Sequence, residues 1–233
     1  MTIVALDRHP VAACFAELDD ALRALDPTRT VYLNAHTAPD EVPSGGIVLN
    51  TENVPGQVAD PRALWPDAEL WDISASNAAK YGATHVPVGY HASMERFTRS
   101  AAPDIDVVFT GCLNERRRAV LQELADHGLS VCHVPPGIYG AERDALLARS
   151  KLALNMQFYA DGIYPVLRVA HLVANGVPVL SEAHADGWSF VASCDYAELV
   201  DTAVTMLERP YDTERSAWNA LEMFRCRPMV LPS

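Results

Sequence analysis

The sequence predicts an α/β protein whose second half is a doubly wound parallel sheet. Three observations carry this. From Asp104 onward, short apolar runs alternate with stretches of helical spacing. The intervening segments are long enough for crossover helices, which implies parallel strands covered on both faces. Proline and glycine fall where helices begin and end, as Pro165 and Gly176 do around PVLRVAHLVANG.

In chain order, the first hundred residues show a weaker alternation: a helix near 11–25, then strands near TVYLNA (30–35), GGIVLN (45–50) and ATHVPVG (83–89). The segment 91–104 has few large aliphatic residues and reads as a linker. Beyond it follow the strand IDVVFTG (105–111), the helix ERRRAVLQELADHG (115–128), the strand LSVCHV (129–134) and the helix AERDALLARS (141–150). KLALNMQF, VPVLSE and YAELVDTAVTMLER continue the series as strand, strand and helix, the helix PVLRVAHLVANG falling between the two strands. The expected organisation is a first α/β domain over 1–95, a second over 104–209, and a helical tail over 210–233. In that tail ERSAWNALEMF must cover Trp218, Leu221 and Phe224.

Composition excludes several classes. The chain has 233 residues, 49% hydrophobic and 21% charged, enough for one large or two small domains. No basic leader precedes an apolar stretch at the N-terminus, so no signal peptide is expected. The most apolar segment, 166–180, is broken by Arg168, His171, Asn175 and Pro178, short of the ~20 apolar residues of a membrane span. Five scattered cysteines with no C-x-x-C pair suit a reducing, cytoplasmic setting. The formal charge of −12 disfavours nucleic acid as a partner. Eight histidines show no metal-ligand spacing, and there is no G-x-G-x-x-G or P-loop, so no metal and no resident dinucleotide is expected.

Ligands of open parallel sheets bind beyond the carboxyl ends of the strands, which selects the loops after Thr110, Val134, Phe158 and Glu182. Arg116, Arg117 and Arg118 begin the helix after Thr110, although a helix N-terminus favours anions. With about 100° per residue, Leu113, Val120, Leu121 and Leu124 form the buried stripe and Arg117 lies in its middle. Arg116 flanks that stripe and Arg118 faces solvent. Arg143 repeats the placement in the next helix, before Leu146 and Leu147. Two inward guanidiniums at successive helix starts, with Gly111 and the N-cap Asn114, make a seat for a diphosphate or carboxylate, or else pair with Glu115, Glu142 or Asp144. Glu182 ends its strand at the ligand edge, where it can accept from sugar hydroxyls. His171 and Asn175 read as the solvent side of their helix, and Arg168 lies in its first turn.

The series DIDVVFTGCLNERR, GIYGAERDALLARSKLALNMQFY and YPVLRVAHLVANGVPVLSE resembles the C-terminal half of GT-B-fold glycosyltransferases, especially a short bacterial and phage branch related to spore-coat glycosyltransferase-like proteins. LNTENVP, ELWDISASNAAKYG and THVPVGY also resemble that branch. The resemblance implies two Rossmann-like domains facing across a cleft, the N-terminal one reduced, and a nucleotide-diphosphate sugar as donor substrate. It places Gly111, Asn114 and Arg117 at the diphosphate, Arg143 at a second phosphate contact, and Asn155, Phe158, Tyr159, Arg168 and Glu182 in the donor pocket; Arg116, at the edge of the stripe, is counted with the donor-binding residues on the helical reading. Two acids usual in such enzymes fall here at Ile163 and His171, with Asp161 and Glu182 as substitutes. Glu52, ahead of Asp72 and His91, is the expected acceptor base. The alternatives are a nucleotide-sugar-binding module without turnover and a phage-type enzyme that glycosylates DNA hydroxymethyl bases.

Overall fold

The computed structural model of the protein describes residues 2–5, 16–25, 28–33, 35–54, 60–160 and 162–232. The chain divides into two compact units, one spanning 1–93 and taking in the chain end from Met229, the other spanning 94–228. Each is a parallel sheet with helices.

In the first unit, β1 (Thr2–Ala5), β2 (Thr30–Leu33), β3 (Ile47–Asn50), β4 (Glu69–Asp72) and β5 (Thr84–His85) pair in parallel and lie in chain order across the sheet. The helices are α1 (Ala16–Leu25), α2 (Pro61–Leu64) and α3 (Ala75–Tyr81). Asp60 caps α2 and Ser74 caps α3, each side chain accepting an amide of the first turn. Gly82 ends α3 at φ 70°, where a glycine adopts the left-handed conformation without cost. Val48, Val54, Trp65, Leu70 and Tyr81 form a core cluster in this unit. The strand β4 falls in ELWDIS, a stretch with little alternation to betray it. The strand expected over 83–89 shrinks to β5, because Pro87 removes a ladder donor.

The second unit contains β6 (Ile105–Thr110), α4 (Glu115–Asp126), β7 (Val131–Val134), α5 (Gly140–Ala148), β8 (Ser150–Asn155), α6 (Val166–Ala174), β9 (Val179–Glu182), β10 (Ala192–Cys194), α7 (Leu199–Glu208) and α8 (Pro210–Arg225). The sheet order is β10-β9-β8-β6-β7, all parallel. The chain steps one way from β6 to β7 and then returns past β6 to β8. With right-handed crossovers this reversal places α4 and α5 on opposite faces and makes a doubly wound sheet. Val107, Phe109, Leu152, Leu154 and Met156 meet Val120, Leu121 and Leu124 of α4 and Leu199, Val200 and Ala203 of α7 in one cluster. The reversal itself, between β6 and β8, is the switch point at which such sheets bind ligands.

The helix expected in the tail over 210–233 is α8. Helix α8 lies against α6 and α7, burying Ala217, Ala220 and Phe224, and so belongs to the second unit. Trp218, expected to be covered, is 62% exposed because it sits on the outer side of that helix.

Candidate functional site

Two loops meet at the switch point. The first begins at Gly111, whose φ of 125° lies in a region that side-chain-bearing residues rarely adopt. Its amide donates to Val134 at 3.0 Å, and its carbonyl accepts from His133 Nε2 at 2.7 Å. A Cβ on Gly111 would stand 2.8 Å from Arg168 Nη2, so glycine is what lets Arg168 lie over the strand end. Asn114 then caps α4, its Oδ1 accepting from the Arg117 amide at 3.0 Å. Its Nδ2 donates to the Phe158 carbonyl at 2.7 Å and so ties this loop to the one after β8.

Arg117 lies on the buried stripe of α4 and is only 3% exposed. Its Nε donates to the Gln157 carbonyl at 3.2 Å, Nη1 to the Cys112 carbonyl at 2.8 Å, and Nη2 to the Met156 carbonyl. The guanidinium stands 5.1 Å from the ring centres of both Phe109 and Phe158. Arg117 therefore brackets the two loops with three donors and lends the region its charge from beneath. Burial, and next the charge of Arg168, push its pKa well below the usual arginine value.

Arg168 reaches in from the first turn of α6. Its Nη1 donates to Asn155 Oδ1 at 3.0 Å, and its guanidinium stands 5.3 Å from the Phe109 ring centre. Asn155 is buried and donates onward to Ser181 Oγ at 2.9 Å, so it holds Arg168 and does not line an open pocket. Phe158 is half-buried, and Tyr159 is exposed beside it with ring centres 4.9 Å apart.

Arg116 and Glu182 form a two-pronged ion pair, Nη1 to Oε2 at 2.7 Å and Nη2 to Oε1. Arg116 also lies 3.7 Å from the centre of the Tyr196 ring, and the Tyr196 hydroxyl donates to the Arg116 carbonyl at 2.8 Å. Glu182 Oε2 takes a third hydrogen bond, from the Gln157 amide at 3.0 Å. The carboxylate expected to accept from sugar hydroxyls is thus already engaged, because Arg116, at the flank of the helical stripe, reaches it. Gln157, Tyr196 and His133 were not singled out from the sequence. Gln157 was visible only as a polar residue following an apolar strand at the ligand edge.

Among the described residues, the switch point therefore gathers Arg116, Arg117 and Arg168 against one carboxylate, Glu182, within a chain of net charge −12. Such an excess of cation at the ends of parallel strands has the charge to suit a polyanion.

Arg143 enters a different network. Its Nε donates to Asp144 Oδ1 at 2.9 Å, and that oxygen also faces His171 Nε2 at 2.9 Å. The pairing of Arg117 with Arg143 over one crevice is corrected: the reversal of strand order puts α5 on the other face from α4, and Arg168 is the cation beside Arg117. Burial opposes ionisation of Asp144, but the hydrogen bond and charge of His171, with Arg143, outweigh it and hold its pKa below the usual value. His171 and Asn175 are also corrected from solvent side to interior. Asn175 Oδ1 accepts from the amides of Arg96 at 2.6 Å and Phe97 at 3.0 Å, while its Nδ2 donates to the carbonyls of Met94 and His171 at 2.9 and 2.7 Å. The start of the second unit covers that polar stripe of α6.

In the first unit, Asp72 is wholly buried and accepts from Asn50 Nδ2 at 2.7 Å, from the Ser74 amide at 2.6 Å and from the Tyr81 hydroxyl. It cannot itself meet an acceptor molecule. Glu52, in the loop after β3, is half-buried, and burial raises its pKa. His91 Nδ1 lies 2.8 Å from Ser93 Oγ. Ile163 is half-buried, and Asp161 lies outside the described residues. Among the described residues no group of acids, histidines and cysteines could hold a metal ion, and no helix is long and apolar enough to cross a membrane.

No protein-family model matches the sequence. The chain is similar to an uncharacterized protein of Acanthamoeba polyphaga mimivirus, 27% identical over 187 residues, which is 72% of this chain and 61% of that protein. A second uncharacterized mimivirus protein is 25% identical over 59% of this chain and 20% of its own length. A third is 26% identical over 45% of this chain and 13% of its own length. The match thus spans less than two thirds of each relative.

Proposed function

We propose that the protein is a glycosyltransferase that moves a sugar from a nucleotide-diphosphate sugar to a hydroxyl acceptor. The observation that carries this reading is the cluster of three guanidiniums against one carboxylate, among the described residues, at the switch point of the second sheet. A diphosphate suits it in charge and in position, beside the capped start of α4. The sugar comes from the resemblance to GT-B enzymes, and the GT-B arrangement of the two units belongs to the same proposal. As the bond from the anomeric carbon to the diphosphate oxygen breaks, its electron pair leaves on the diphosphate. Arg168 and Arg116 would stabilise that charge at close range, with Arg117 acting from below.

A thermal-shift panel of inorganic diphosphate, nucleoside diphosphates and nucleotide sugars tests this. A tight donor raises the melting temperature by mass action, and Arg168→Ala removes the shift. No stabilisation by any member would overturn the proposal. A second reading, a nucleotide-sugar-binding module without turnover, is favoured by two observations. Glu182 is held by Arg116, and buried His171 stands where such enzymes carry an acid. Slow hydrolysis of a bound donor would exclude it.

A further inference from the structure

Pro136 stops the ladder between β6 and β7 just where the anion site begins. Parallel register sets Thr110 beside Val134, so Gly111 comes level with Pro135. The Gly111 amide still follows the ladder, donating to the Val134 carbonyl at 3.0 Å. Its carbonyl is next due the amide of residue 136. A proline there has no N–H to give. His133 supplies the missing donor from its side chain, with Nε2 2.7 Å from the Gly111 carbonyl. A carbonyl only accepts, so Nε2 is the ring nitrogen that carries the proton.

Packing holds the same imidazole. Phe109 and His133 are register partners on one face of the sheet, and their rings lie 6.1 Å apart at 18°. What the hydrogen bond fixes is the Gly111–Cys112 peptide. A trans peptide points its N–H opposite to its C=O. With the Gly111 carbonyl turned to β7, the Cys112 N–H is turned toward the β8 side of β6, which is the switch point. Among the described residues that amide meets no acceptor. Arg117 Nη1 holds the other end of the residue, its carbonyl, at 2.8 Å. Arg168 Nη2 lies beside Gly111, 2.8 Å from where a Cβ would stand.

We propose that His133 is a positioning residue of the anion site. By holding the Gly111 carbonyl it turns the Cys112 N–H into the switch point, where that amide and the Arg168 guanidinium donate to one diphosphate. This rests on the transferase reading. The Cys112 amide then meets charge that grows on the diphosphate oxygens as the sugar leaves them. His133 itself touches no reacting atom.

The test is calorimetric titration of the full chain with inorganic diphosphate, paired with NMR of the Cys112 amide. In the wild type that resonance should move downfield as diphosphate binds. His133→Leu removes the donor and should weaken binding about tenfold or more, the worth of one hydrogen bond to a charged group, with the Cys112 shift lost. His133→Gln, whose side-chain amide can reach the same carbonyl, should restore both. Should His133→Leu fail to fold, His133→Asn, too short to reach, takes its place. Undiminished binding in the folded variant without the donor overturns the proposal, as does a Cys112 amide that does not respond to bound diphosphate. Equal loss in His133→Gln and His133→Leu also overturns it, since packing on Phe109 would then be what counts. A wild type that binds no diphosphate fails the transferase reading first, and this proposal with it.

Discussion

At the scale of single residues, Arg117 shows how position and role come apart. Helical phase put it on the buried stripe, and it is there, yet three of its N–H groups are bound to carbonyls. Arg117→Ala should therefore orphan buried acceptors, each costing about 1–3 kcal/mol, and lower stability with or without ligand. Arg117→Lys should not restore it, since an ammonium cannot reproduce the planar fork. Arg168→Ala is the cleaner probe of anion binding. Gly111→Ala should mimic it: a methyl 2.8 Å from Arg168 Nη2 displaces the guanidinium, so diphosphate binding measured by calorimetry should weaken tenfold or more. Undiminished binding in Gly111→Ala would mean that Arg168 does not meet the anion.

At the scale of elements, α6 is held by the polar contacts of His171 and Asn175. Asn175→Ala removes four hydrogen bonds, of net worth about 0.5–1.5 kcal/mol each, and should release the Arg96 and Phe97 amides to hydrogen exchange. Protection unchanged at those two amides would contradict the contact. The α5–α6 link is pH-dependent with a definite sign. Asp144 is held below its unfolded pKa, so its contribution is complete above that value and is lost as pH falls through the folded one. Acid titration of stability should accordingly be shallower below about pH 4 in Asp144→Asn than in the wild type. The two should differ most near neutral pH, where wild type is the more stable.

At the scale of the molecule, two units with separate cores predict localised responses. A bound nucleotide diphosphate should protect the amides around 111–118 and 155–159 from exchange and leave those around Asp72 unchanged. Uniform protection of both units would argue against an anion site confined to the second.

The sequence by itself determined the α/β class, the strands and helices from Ile105 to Glu182, the helix that follows Tyr196, and the loop and helix start that carry Gly111, Asn114 and Arg117. Those follow from hydrophobic periodicity and capping chemistry, which act over a few residues. Short strands such as β4 and β10 were not legible, because three or four residues hold too little period. Only the tertiary structure decided the partners: that Arg168 and not Arg143 stands by Arg117, that Arg116 engages Glu182, and that Asp72 accepts from Asn50 and Tyr81. Strand order sets which helix starts share a face, and strand order is fixed by long-range packing that no local pattern records.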